Sequence, residues 1–114
     1  MPGMRSKAPN KIKNLIRMIV KLHKTNDGRR VLAICDDDLL CKRFEEGNKQ
    51  LDLTSDFYRG EKKNEKEAVE MIKGTYMVNI VGEEGINLAL NLGIVDKKQI
   101  IKIKNIPHAQ AILE

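Results

Sequence analysis

The chain has 114 residues, with 21 Lys and Arg against 16 Asp and Glu for a net charge of +5, and it is 41% hydrophobic but 4% aromatic. That length is one domain of ordinary size with room for its own core. Ile, Leu, Val and Met must fill that core, because Phe44, Phe57, Tyr58 and Tyr76 are the whole aromatic complement. No apolar run approaches the ~20 residues of a spanning helix, the N-terminus lacks the apolar stretch of a secretory signal, and two cysteines fit a reducing cytosol. The expected setting is therefore cytoplasmic, with no membrane.

The charge is uneven. Residues 1–30 hold nine basic residues and one acid, a local charge of +8, whereas residues 31–114 sum to −3. Residues 1–12, with two Pro, a Gly and several cations, read as a disordered basic arm, and 13–114 as a single domain. Ile16, Met18, Val20 and Leu22 alternate with Arg17, Lys21 and His23. Thr25-Asn26-Asp27-Gly28 is a strong turn, because Asn, Asp and Gly tolerate positive φ. Arg30 to Cys35 is a second apolar run, so a β-hairpin over about 16–23 and 30–35 is expected.

Asp36-Asp37-Asp38-Leu39-Leu40 predicts a short turn or one-turn helix, since acids suit the exposed N–H groups at a helix start. Lys49 to Thr54 alternates as a short strand, and Thr54 to Gly60 follows as a loop with two adjacent aromatics, Phe57 plugging the core and Tyr58 lying over it. Asn64 with Glu67 three residues on has the capping-box pattern. It opens a helix with Ala68, Val69 and Ile72 inward, stopped by Gly74. Met77 to Val81 predicts a strand. Residues 84–92 predict a well-buried helix ended by Gly93, and 100–104 a strand with Ile101 and Ile103 inward. Residues 77–104 thus suggest a parallel crossover. The X-Pro corner at Ile106-Pro107 sets out His108 and Gln110 before a last edge strand over 109–113. The fold class is α/β (or α+β): a small mixed β-sheet with an N-terminal β-hairpin and two main helices.

No complete catalytic, metal or nucleotide motif is present. Cys35, Cys41, His23 and His108 lack zinc-type spacing, and Asp36-Asp37-Asp38 lacks the further oxygen ligands of a calcium loop. No metal and no cofactor are expected. Cys35, Asp36, His108 and Gln110 are weak catalytic candidates, as a nucleophile–base pair with an orienting carboxylate, if the fold gathers them. Gly82-Glu83-Glu84-Gly85 sits where a strand meets a helix, the setting of an anion site, but its glutamates repel phosphate and it reads as a tight turn. Arg5, Lys7, Lys11, Lys13, Arg17, Lys21, Arg29 and Arg30 are candidate phosphate contacts. Tyr58, Arg59 and His108 are candidate short-range contacts, since aromatic and guanidinium planes stack on unpaired bases.

Val31 to Asp36 with Leu39-Leu40, Glu46-Gly47, Leu51 to Asp56, Phe57-Tyr58-Arg59-Gly60, Val78 to Glu83, Gly93 to Asp96 and Ile106 to Gln110 together resemble the small archaeal proteins called domain of unknown function 424. The resemblance covers roughly residues 16–112. It implies a cytoplasmic α/β protein of archaeal type and brings no established activity, with translation the suggested association. The position after Leu39-Leu40, a Gly in the family pattern, is Cys41 here. The expected function is a non-catalytic RNA- or ribosome-associated binding protein, with a small Cys35/His108 enzyme or a protein-interaction subunit as the alternatives.

Overall fold

The computed structural model describes residues 17–113; the candidates Arg5, Lys7, Lys11 and Lys13, and the expected arm over 1–12, lie outside these residues. The period-two alternation of β1 (Arg17–Lys24) and β2 (Arg30–Asp36) gives the expected antiparallel hairpin, with Met18 opposite Asp36 and Lys24 opposite Arg30. The chain then makes a one-turn 3-10 helix (Asp37–Leu39), a two-stranded hairpin of β3 (Arg43–Glu46) and β4 (Lys49–Asp52), and a second 3-10 turn (Asp56–Tyr58). After these come β5 (Glu61–Asn64), α1 (Glu65–Ile72), β6 (Met77–Val81), α2 (Glu83–Leu92), β7 (Ile101–Ile103) and β8 (Ile106–Ile112).

Six strands form one mixed sheet in the order β5-β1-β2-β6-β8-β7, and β3–β4 forms a separate small sheet. β2 and β6 pair in parallel, and the other neighbours are antiparallel. Two expectations are corrected here. The strand expected over 109–113 begins at Ile106 and is not an edge: β8 lies between β6 and β7, and β7 is the edge. β6 and β7 do run the same way, but β8 is inserted between them, so the parallel neighbour of β6 is β2.

Each face of the sheet buries its own core, as period-two side chains require. Both helices pack on one face, where Met18, Val20, Leu32, Ile34, Val78 and Ile80 meet Ala68, Ile72, Ile86 and Ala89. On the other face Ile19, Cys35, Val81 and Ile103 are covered by Leu51 and Leu53, with Phe44 and Tyr58 packed against them. This cover reaches only part of the face, which is why Ile101, expected inward, is 50% exposed while Ile103 is buried. Leu92, at the end of α2, is likewise exposed rather than buried.

The local signals that hold are those with a side-chain mechanism. Asn64 accepts from the Glu67 N–H at 2.8 Å and Glu67 accepts from the Asn64 N–H at 2.9 Å, closing the capping box of α1. Gly93 takes a left-handed conformation at the end of α2, its N–H reaching the carbonyls of Ala89 and Leu90. Cys41 also lies in the left-handed region, at φ 70°. That backbone is one glycine adopts without strain.

Candidate nucleic-acid interface

The carboxyl ends of the parallel pair β2–β6 open into a crevice of about 620 Å³, lined by Asp36, Asp37, Asp38, Glu83 and Glu84 together with Arg17. The N-terminus of α2 points here, the place where a phosphate would be held. Asp36 fills it. Its carboxylate accepts the N–H groups of Glu84 and Gly85, each at 2.9 Å. Gly82 permits this approach: it sits at φ 107°, and a Cβ there would lie 2.2 Å from the Asp36 Cγ. Burial raises the Asp36 pKa above the ordinary carboxylate value, outweighing the two N–H donors. The Gly82–Gly85 segment, expected as a tight turn, is thus the N-cap and first turn of α2, built around a carboxylate of the chain itself. Among the described residues no group of three or more His, Cys, Asp or Glu is arranged to hold a metal ion.

The four weak catalytic candidates do not converge. Cys35 is fully buried, and burial, with Asp36 next, pushes its thiol up to about 12, far from the thiolate a nucleophile needs. Cys35 registers with Val81 and Val81 with His108. The cysteine and histidine are therefore two strand spacings apart, about 10 Å, well beyond hydrogen-bond reach. Asp36 serves the helix face, whereas His108 is on the opposite side of the sheet, in register with Val81. The Gln110 amide donates to Asn79 Oδ1 at 2.9 Å. His108 Nε2 is buried with no hydrogen-bond partner among the described residues, and desolvation lowers its pKa.

In the aromatic loop the expected order is reversed. Tyr58 packs against the second core, and burial pushes its phenol up to about 12. Phe57 is the exposed ring, at 37%. It stacks on His23 with centroids 4.4 Å apart and planes 9° from parallel, while His23 Nε2 donates to the Phe57 carbonyl at 2.9 Å. Adjacent residues in a sequence carry no signal for which of two rings turns inward; the geometry of the 3-10 turn decides it. Arg59 pairs with Asp56 at 3.3 Å and reaches Cys41 Sγ at 3.8 Å.

At the opposite end of the sheet, a second cleft of about 620 Å³ lies between the β1–β2 turn and the end of α1. Arg29, Arg30 and Lys73 line it with Tyr76, over a floor of Ile72, Ile94 and Leu113, and among the described residues no carboxylate lines it. The Arg29 guanidinium lies 4.4 Å over the Tyr76 ring and pairs with Asp27 at 3.3 Å. Backbone bonds tie the walls together: the Tyr76 N–H donates to the Arg30 carbonyl at 2.9 Å, and the Leu113 N–H to the Tyr76 carbonyl at 2.8 Å. The sequence offers Arg29 and Arg30 but not Lys73 or Tyr76, which the β2–β6 pairing brings alongside; a turn at Gly74 followed by an aromatic is too common to mark them. The cations contiguous in sequence are also divided. Arg17 lines the acidic crevice, and the seven residue steps of β1 carry the chain about 24 Å to Lys24, which pairs with Arg30. Lys21 lies midway along β1, opposite Ala33.

The family described as "Protein of unknown function (DUF424)" matches residues 23–113. Among solved structures, the crystal structure of an uncharacterized conserved protein from Methanopyrus kandleri superposes with a TM-score of 0.65 at 26% identity, covering 86% of this chain and 95% of that one. No curated protein matches the chain. No helix among the described residues is long and apolar enough to cross a membrane.

Proposed function

Since the chain belongs to the DUF424 family, whose description names no activity, we propose from its own surface that it is a non-catalytic, RNA- or ribosome-associated protein whose phosphate-contacting site is the Arg29–Arg30–Lys73 cleft. One observation supports this reading above the rest: among the described residues three cations and no carboxylate line a single cleft, and one of the cations is stacked on an aromatic ring. Guanidinium groups suit phosphate because their planar donor fork matches its oxygens. Releasing the counterions condensed on RNA supplies the free energy of such contacts. Lys24 borders the cleft through its pairing with Arg30 and adds to the field that draws a polyanion.

The test is a filter-binding titration of the full chain with structured RNA across a salt series. Three phosphate contacts give a log–log salt slope of about −2 to −3, and Arg30→Glu with Lys73→Glu lowers affinity at least about tenfold. A flat salt response, or binding unchanged in the double variant, overturns the proposal.

A further inference from the structure

We propose that the uncovered half of the sheet face opposite the helices is a platform for unpaired bases, so that the RNA recognised is single-stranded. This rests on the reading of the basic cleft as the phosphate site. The small β3–β4 sheet covers only the end of the face around Ile19, Cys35, Val81 and Ile103. At the other end His23, Val31, Met77 and Ile112 are in register across β1, β2, β6 and β8, and in-register side chains share one face. None of these four is fully buried, and Ile112 is 62% exposed. Three strand spacings make the row about 14 Å long, the scale on which a four-stranded sheet stacks two or three bases.

The chemistry of the row fits bases rather than a purely apolar partner. At one end the partly exposed Phe57 ring is stacked on His23 and meets the Tyr58 ring at near right angles, centroids 5.0 Å apart, an aromatic cluster of the kind on which bases stack without sequence preference. One step along the strands, Asn79 and Gln110 face each other. The Gln110 amide donates to Asn79 Oδ1 at 2.9 Å. The Asn79 side-chain nitrogen and Gln110 Oε1 take no partner among the described residues, leaving donors and an acceptor side by side, as a base edge requires. The platform lies at the same end of the sheet as the cleft, on the opposite face. Tyr76 and Leu113 line the cleft, and their chain neighbours Met77 and Ile112 belong to the row. Lys21, in register with Ala33, Asn79 and Gln110, puts a cation on the platform face beside a row with no acidic side chain, so a strand that rounds this end of the sheet from Arg30 and Lys73 meets a cationic surface. That charge complementarity selects RNA over an acidic or purely apolar protein partner.

The test measures anisotropy of a labelled single-stranded RNA of mixed sequence and of its duplex, with the full chain and with Phe57→Ala, Gln110→Ala and Ile112→Ser. Circular-dichroism melts confirm that each variant folds. The expected result is tighter binding of the single strand, weakened about tenfold by Phe57→Ala and about threefold by Gln110→Ala, with duplex binding unchanged. Arg30→Glu weakens both RNAs. Equal binding of the two RNAs, indifferent to the platform variants, overturns this inference and leaves the cleft reading standing. Binding of neither RNA overturns both. Self-association relieved by Ile112→Ser identifies a second copy as the occupant and also overturns it.

Discussion

Cys41 holds a left-handed backbone, φ 70°, that costs a residue with a Cβ more than it costs glycine. Its side chain is exposed, so little packing offsets that cost. Cys41→Gly is expected to raise the urea unfolding free energy by about 0.5–1 kcal/mol, the relief of strain exceeding the added freedom of the unfolded chain. His108 gives a second residue-scale expectation. Its buried Nε2 has no partner among the described residues and desolvation lowers its pKa below the ordinary 6.5, so the unfolded chain binds the proton more readily. Stability is therefore lost as pH falls from 6.5 through the depressed folded value. Urea melts at about pH 7 and pH 5 are expected to show His108→Leu gaining on the wild type at the lower pH; an unchanged difference contradicts it. At this scale the sequence was legible where a residue type has one use. Asp36 after an apolar strand reads as a carboxylate near a helix start, but the helix it serves lies 48 residues on, and only tertiary pairing reveals that. Tyr58 and Phe57 exchange their expected places because both rings are apolar enough for either position.

The turn into α2 shows how one element is made from distant parts. Gly82 brings the backbone against Asp36 from β2, and the Asp36 carboxylate then closes the first turn of the helix. Gly82→Ala introduces both a disfavoured φ and a clash with that carboxylate, and is expected to cost about 2–4 kcal/mol in urea melts. Asn64→Ala, which opens the capping box of α1, is expected to cost about 1 kcal/mol by the same measurement. Elements whose boundaries carry a capping or turn mechanism were legible to within a few residues: the β1–β2 hairpin, α1, β6 and α2. β3 and β5 were missed because they are four-residue strands of mostly charged side chains, Arg43–Glu46 and Glu61–Asn64. Their pairing with β4 and β1 is supplied by neighbours rather than by their own pattern.

Across the whole molecule the two ends of the sheet differ in charge. Carboxylates crowd the crevice at the carboxyl ends of β2 and β6, and the cationic cleft lies at the other end. The first thirty residues carry +8 in the sequence; among the described residues the cations from Arg17 to Arg30 do not form one basic surface, because β1 carries them from one end of the sheet to the other. Binding of single-stranded RNA is expected to slow amide exchange at residues 28–30 and 73–76 and to leave residues 37–39 and 83–85 unchanged; protection at the acidic end instead refutes the assignment.

The placement of β8 between β6 and β7 bears on how the molecule assembles as it is synthesised. A ribosome completes β7 before β8 exists, and until Ile106–Ile112 emerges β7 has no partner to pair with. The β8–β7 end of the sheet, and with it Gln110 and Ile112, is therefore a late event in the life of the nascent chain.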